Sequence, residues 1–256
     1  MYYHKMYGET KLLVNANQAV LLTGEKGTGK TTLFEQLAKD LELNFYVTSM
    51  TNQTTLSSLV GYKNVNGDYV RTLLRECVEF GGLMLLDEID AGNPNVLLSL
   101  NTLENGFLSF PDGIVRCHKN FRLVATANPQ SKHYTGRAKL DAATLDRFDI
   151  IQLEIDPDLE KNIMGNFSYD VINDIRITLK EWNFEKYISM RDGLRLQLRK
   201  TLNLHKNYAE TLLDKDPNLI AHYNNLRIKK DFLDQSECKT TIELYNNVKK
   251  EAGVFE

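Results

Sequence analysis

The chain of 256 residues has only three cysteines, Cys77, Cys117 and Cys238. They are too few and too scattered for a disulfide framework or a zinc cluster, and they fit a reducing, intracellular setting. No stretch approaches the roughly 20 apolar residues that span a bilayer. The first residues do not run from basic to apolar to small, as a signal peptide does. No excess of one charge is present either. Lys plus Arg number 31 and Asp plus Glu 34, for a net charge of -3. The balance is even along the chain, with 15 basic and 16 acidic groups in 1–150 against 16 and 18 in 151–256. No basic half marks a nucleic-acid binder, and Arg116, Lys119 and Arg122 form the one local basic cluster. What remains is ordinary globular material. Hydrophobic residues are 42% and charged residues 25%, enough for a core and against a disordered chain. The expectation is a soluble cytoplasmic protein of one large domain or two modest ones.

Glycine divides the chain, since only Gly165, Gly193 and Gly253 follow residue 150. The first part reads as apolar strands alternating with helices. Strands are predicted at Ala19–Thr23, Asn44–Thr48, Leu83–Asp87, Phe121–Ala125 and Ile150–Leu153. Helices are predicted at Thr31–Leu41, Val70–Phe80 and Pro94–Glu104. Such alternation predicts a parallel sheet covered on both faces. The second part has apolar residues at helical spacing over Leu159–Asn183 and Met190–Asp214. The boundary is placed near Asp156-Pro157, giving an α/β domain over 1–156 and a helical domain over 157–256.

The sharpest signal is Gly24-Glu25-Lys26-Gly27-Thr28-Gly29-Lys30-Thr31, followed by Thr32. It fits the phosphate-loop pattern between a strand and a helix. Glycines let backbone N–H groups turn inward on phosphates, and the helix start adds free donors. Lys30 supplies a point charge for the β- and γ-phosphates, and the Thr31 hydroxyl can ligate Mg²⁺. Leu83-Met84-Leu85-Leu86-Asp87-Glu88 reads as a buried strand ending in two acids. Asp87 suits Mg²⁺, and Glu88 suits orienting and polarising a water. The blander role for such acids is capping the next helix, for which Asp90 is the better candidate. The apolar run from Phe121 onward ends in a polar amide at Asn128-Pro129, so Asn128 is placed beside Glu88, with an ordinary Asn-Pro turn as the plain alternative.

The order of phosphate loop, Leu-Leu-Asp-Glu-Ile-Asp, Ala-Thr-Ala-Asn-Pro and Leu-Asp-Arg-Phe resembles an AAA+ ATPase. Leu103–Gly113, a strand–turn–strand that breaks a helix, is similar to the helix-2-insert clade. Within it, the chain resembles MoxR-type ATPases and the cobaltochelatase small subunit, most closely the stand-alone forms of phages and prophages. The resemblance implies a P-loop fold with a five-stranded parallel sheet, a β-hairpin insert in helix 2 and a C-terminal helical lid. It implies ATP and Mg²⁺ as ligands, and a homo-oligomeric, hexameric ring in a bacterium or a phage-infected one. It makes Asn128 the sensor that holds the water, and Arg147 a finger reaching the neighbour's γ-phosphate. Arg137 is the alternative trans arginine, and pairing with Asp146 or Asp149 is the plain alternative for Arg147. Ile188-Ser189-Met190-Arg191 resembles the clade's second sensor, with Arg191 reaching the nucleotide.

The resemblance implies remodelling of a partner protein, often one with a von Willebrand A-type domain, and leaves cobalt insertion into a corrin ring open. A nucleic-acid motor and a nucleotide-gated scaffold are the competing readings, and the even charge weighs against the first. Two segments suit substrate contact, the Tyr62–Lys63 loop and the Phe107–Cys117 hairpin, and Asn66-Gly67 is a turn signal. His118 and His133 lack a second ligand at metal spacing. Trp182 is expected to pack the helical domain.

Overall fold

The computed structural model describes residues 2–129, 140, 142–202 and 208–236. Arg137, His133 and Cys238 lie outside the described residues. The chain divides into two compact units, Met1–Leu159 and Glu160–Glu256.

In the first unit, α1 (Tyr7–Asn15) leads into β1 (Val20–Gly24), α2 (Lys30–Asp40) and β2 (Phe45–Ser49). Next come α3 (Leu56–Val60), the short strands β3 (Tyr62–Lys63) and β4 (Tyr69–Val70), α4 (Leu73–Phe80) and β5 (Gly82–Asp87). A 3₁₀ turn at Ile89–Ala91, α5 (Pro94–Leu97) and a 3₁₀ helix at Leu98–Asn105 lead to β6 (Phe107–Phe110) and β7 (Gly113–Arg116). The unit closes with β8 (Phe121–Ala127), α6 (Ala142–Leu145) and β9 (Asp149–Leu153).

The five long strands form one parallel sheet in the order β2-β5-β8-β1-β9. Strand β5 shows why these strands read as continuous apolar runs. Leu83 and Leu85 pack with Leu33, Phe34 and Leu37 on one face, while Met84 and Leu86 pack with Leu74, Val78 and Val96 on the other. A strand buried on both faces has no polar side to show in its sequence. The register sets Thr23 beside Ala127 and Ser49 beside Asp87, so the carboxyl ends share one edge. In an open α/β sheet that edge carries ligands.

Two helix expectations are corrected in this unit. The helix expected at Val70–Phe80 begins at Leu73, because Tyr69–Val70 pairs antiparallel with Tyr62–Lys63 and Thr72 caps the helix through Arg75 N–H at 3.3 Å. The helix expected at Pro94–Glu104 is α-helical only to Leu97 and then tightens to 3₁₀. Leu97, Leu100 and Leu103 recur every three residues, which aligns them on one face of a three-residue turn. The hairpin expected around Asn66-Gly67 forms, but Asn64 organises its loop, accepting from the N–H groups of Asn66 and Asp68 at 2.9 Å each. Helix α1 was not expected. It is held by Tyr7, whose hydroxyl donates to Asp40 at 2.5 Å.

The second unit is helical, with α7 (Pro157–Glu181) running into it from the first and α8 (Met190–Thr201), α9 (Tyr208–Leu212) and α10 (Pro217–Ser236) following. Helix α7 breaks at Gly165, whose φ is 76°. The expected helix Met190–Asp214 ends at Thr201, and Asp214 and Lys215 turn the chain at positive φ before α10. Gly193, unusual inside a helix, is explained by packing. A Cβ there would lie 2.3 Å from Met164 Sδ. Trp182 is 48% exposed and meets His222 edge to face, so it is a surface residue rather than a core anchor.

Candidate nucleotide site

The loop after β1 brings the backbone close to β9. A Cβ on Gly24 would lie 2.4 Å from the Leu153 carbonyl oxygen, so no larger residue fits. Gly27 and Gly29 have φ of 86° and 92°, the left-handed geometry that turns successive N–H groups inward. Gly29 is also the N-cap of α2, so the loop opens directly on a helix start. Thr28 Oγ1 closes the loop on the Glu25 carbonyl at 3.0 Å. Beside the loop is a cavity of about 750 Å³, lined by Gly24, Glu25, Thr28, Asp90, Asn128 and Gln152 among others.

Lys30 is 8% exposed. Its Nζ donates to the carbonyls of Gly24 (2.5 Å) and Glu25 (3.0 Å) and to Asn128 Oδ1 (3.1 Å). Burial pulls its pKa down from 10.5 to about 8, against the pull of Asp87, Asp90, Glu25 and Glu88. Two residues that are 98 positions apart, Lys30 and Asn128, therefore meet at the strand ends.

The acids are joined by a threonine. Thr126 Oγ1 donates to Asp87 Oδ1 at 2.5 Å and accepts the Glu88 N–H at 2.9 Å. Thr31 Oγ1 reaches the same Asp87 oxygen at 3.3 Å. Glu88 sits at φ 58°, ψ 49°, a left-handed conformation that costs a non-glycine residue about 1–2 kcal/mol. Its hydrogen bond to Thr126 holds it there, and such strain concentrates at functional turns.

Thr126 has no exposure at all, and its role is missed by reading the sequence. A lone hydroxyl in an apolar strand, two residues before Asn128, is the signal that marks it. Asp90 is a correction. It does not cap the next helix, a task taken by the side chain of Asn93 at the Asn95 N–H. Asp90 is buried and accepts the Asn128 N–H at 3.3 Å, which fixes the backbone at Asn128.

The site thus gathers Gly24, Glu25, Thr28, Lys30, Thr31, Asp87, Glu88 and Asn128 at one edge. Lys26 belongs to the same loop, and Thr32 lies on the first turn of α2. Arg147 lies elsewhere in the unit. It precedes β9, whose Asp149 pairs with Val20 at the opposite end of β1, and it lines a separate cavity of about 440 Å³ with Leu100, Phe121 and Phe148. Arg191 stands in the first turn of α8 in the second unit. There, Arg176 donates to both Glu160 oxygens and to the Ile188 carbonyl, anchoring the segment that precedes Arg191. Arg195 pairs with Asp192 on its own helix, and Arg199 stacks on Tyr208 of α9, so both are engaged within the helical unit. Among the described residues, no group of three or more His, Cys, Asp or Glu forms a metal cluster.

A strand–phosphate loop–helix, with acids at the carboxyl end of β5 one strand removed from β1, defines a P-loop nucleoside triphosphatase. The family profile of the AAA domain, dynein-related subfamily, matches residues 19–148, and the chain belongs to that family. Its class is therefore that of the AAA ATPases, which bind nucleotide and hydrolyse it. An uncharacterized protein of Staphylococcus haemolyticus is 25% identical over 175 residues, 62% of this chain and 64% of its own length. A Staphylococcus aureus protein is 24% identical over 176 residues with the same coverage. The match spans less than two thirds of the length of these relatives. A crystal structure of "a putative ATPase" from Cytophaga hutchinsonii superposes with a TM-score of 0.51 at 21% identity, covering 80% of this chain and 76% of that one, and shows the shared fold.

The lowered pKa of Lys30 makes affinity pH-dependent. A bound triphosphate favours the protonated amine, so binding takes up a proton once the pH exceeds about 8. ATP affinity is expected to fall above that pH, approaching about tenfold per unit, in equilibrium titrations from about pH 7 to 9.5. A flat profile would show that Lys30 keeps its proton throughout. Folding has the opposite sign. A lysine pKa below its ordinary 10.5 penalises the fold at low pH, and that penalty fades as pH rises from about 8 toward 10.5.

Proposed function

We propose that the protein is a Mg²⁺-dependent ATPase that hydrolyses ATP at the subunit interfaces of a ring and uses it to remodel a partner protein. The observation that carries this reading is the division of the machinery between two edges of one sheet. Lys30, Asp87, Glu88 and Asn128 stand at the carboxyl edge, whereas Arg147 stands before the first residue of β9 at the other. An arginine placed there is far from its own phosphate loop and suited to a neighbour's.

The loop carbonyls that hold Lys30 Nζ release it to the β- and γ-phosphates, and the loop N–H groups and the start of α2 receive the remaining charge. The carboxylate of Glu88 accepts a proton from the attacking water, and Asn128, steadied by Asp90, helps orient that water. Thr31 and Asp87 present two hard oxygens 3.3 Å apart, a donor pair that fits Mg²⁺, an ion usually held by one or two protein groups plus phosphates. Held by Thr31 and Asp87, Mg²⁺ would supply charge neutralisation for the bound phosphates. Arg147, or Arg137, neutralises charge from the next subunit. The resemblance of Ile188-Ser189-Met190-Arg191 to the clade's second sensor assigns Arg191 to nucleotide sensing.

Remodelling is favoured over a nucleic-acid motor by the fate of the one basic cluster. Arg122 turns inward, donating to the carbonyls of Val14 (2.8 Å), Lys119 (2.9 Å) and Phe121 (2.9 Å) and to Asn17 Oδ1 (3.1 Å). A guanidinium so engaged ties α1 to β8 and is not presented to phosphates. The partner is a protein, with a von Willebrand A-type module as the first candidate, in the cytoplasm. Among the described residues no helix is long and apolar enough to cross a membrane.

A γ-phosphate bridged by Arg147 makes assembly nucleotide-dependent. Sedimentation at tens of micromolar is expected to show the larger species with a non-hydrolysable ATP analogue and a smaller one with ADP. A monomer with every nucleotide would overturn the ring.

A further inference from the structure

The hairpins β3–β4 and β6–β7 belong to different sheets and are separated in sequence by α4, β5 and α5. One side chain from α4 joins them. The Arg75 guanidinium carbon lies 5.2 Å from the ring centroid of Tyr69 in β4 and 4.7 Å from that of Phe110 in β6. The two rings meet edge to face at 6.3 Å. Arg75 Nη1 donates to Asp112 in the β6–β7 turn at 2.6 Å, and its Nε donates to Glu79 on its own helix at 3.1 Å. Glu79 also accepts from Arg71, which follows β4, at 2.5 Å. The Arg75 side chain is 10% exposed, so these contacts are largely shielded from water.

Other bonds brace the same assembly. Tyr69 Oη donates to the Val60 carbonyl at 2.7 Å, and Thr72 Oγ1 donates to that of Leu59 at 2.8 Å. At the same time the hairpins expose Tyr62, Val65 and Ile114, which at 50%, 102% and 72% exposure contribute nothing to the core. A shielded cation between two aromatic faces, with a carboxylate on the far hairpin, is a strong joint between otherwise separate loops. A planar guanidinium serves all three partners at once, which an ammonium does not.

We infer that Arg75 is a positioning residue that locks the two hairpins into one mechanical body, so that displacement of either is transmitted to the other. The Tyr62–Lys63 loop and the Phe107–Cys117 hairpin then act together rather than as alternative contact elements. Their use in gripping a polypeptide rests on the proposed remodelling activity, whereas the coupling does not.

Hydrogen exchange of the full chain, without any partner, tests it. Asp112→Asn and Phe110→Leu substitute residues of the β6–β7 hairpin, and Tyr69→Leu substitutes a residue of β4; Asp112→Asn leaves the direct Tyr69–Phe110 ring contact in place and so isolates the joint through Arg75. Each is expected to speed exchange of the amides in the unmutated hairpin by at least about tenfold, the scale of a lost charge-assisted bond. Arg75→Gln should loosen both hairpins, and Arg75→Lys, which keeps the charge but not the flat stack, should lie between it and the parent. ATP affinity should stay at the parent value in all of them, showing that the nucleotide unit is folded. Asp112→Asn keeps the inference testable if Arg75→Gln does not fold. Faster exchange confined to the mutated hairpin, or Arg75→Lys indistinguishable from the parent, would overturn the coupling. Loss of ATPase activity in the parent protein would overturn the proposed function and leave this result standing.

Discussion

Glu88→Gln is expected to bind ATP with near-parent affinity and to turn it over at least about 100-fold more slowly, the scale of losing a general base. The geometry separates the two effects. The backbone of Glu88 is held by Thr126, and that bond survives the change of carboxylate to amide. Lys30, the buried cation beside the phosphate loop, keeps its partners as well. What is lost is the proton acceptor at the end of β5. Lys30→Ala is the contrast, since it removes the shielded charge and strands the oxygens of Gly24, Glu25 and Asn128 that it satisfies. That variant should lose nucleotide binding itself. Fluorescent-nucleotide titration and phosphate release, run on both, give the answer. Equal loss of binding in the two would place Glu88 in binding rather than in chemistry.

Arg147→Ala is expected to keep ATP binding and to lose hydrolysis by about three orders of magnitude or more, as removal of an arginine finger does. The register makes the test geometric. From Asp149, opposite Val20, to Leu153, opposite Gly24, the chain climbs roughly 13 Å along the sheet. An arginine before that climb cannot touch the phosphates bound at its own Gly24 without leaving its place. Mixing Arg147→Ala with Lys30→Ala should therefore restore part of the activity. In mixed rings an intact pocket can face an intact arginine, a pairing that neither variant alone contains. The mixture is assembled from dissociated chains so that subunits exchange. No rescue at any ratio would mean that the arginine acts in its own chain. If Arg147→Ala stays active, the same mixture with Arg137→Ala should show the rescue.

The local chemistry of the site was legible because it is written in contiguous residues. A phosphate loop needs its glycines, Lys30 and Thr31 in one short segment, since a single turn must present them all to one triphosphate. Asp87 and Glu88 announce themselves because an apolar strand ends on them. The strands themselves were legible from Leu83–Leu86, where burial on both faces removes every polar residue. The limits of the helices were less so. Val70 belongs to a strand because of its pairing with Tyr62, and Pro94–Asn105 tightens because its leucines fall every three residues.

What the tertiary structure alone decided is which distant groups meet. Asp90 reads as a helix cap until β8 arrives beside β5 and offers it the Asn128 N–H. Thr126 reads as one more strand residue until the same pairing sets it between Asp87 and Glu88. Arg122 reads as a surface charge, and Arg75 as an ordinary helix arginine, until strand order and hairpin placement surround each with acceptors or rings. The sequence by itself determined the fold class, the phosphate loop and the acids, because periodicity and contiguous motifs act locally. The relay through Thr126, the brace at Asp90 and the Arg75 joint depend on strand register and helix packing, which bring together residues 37–39 positions apart that no local pattern relates.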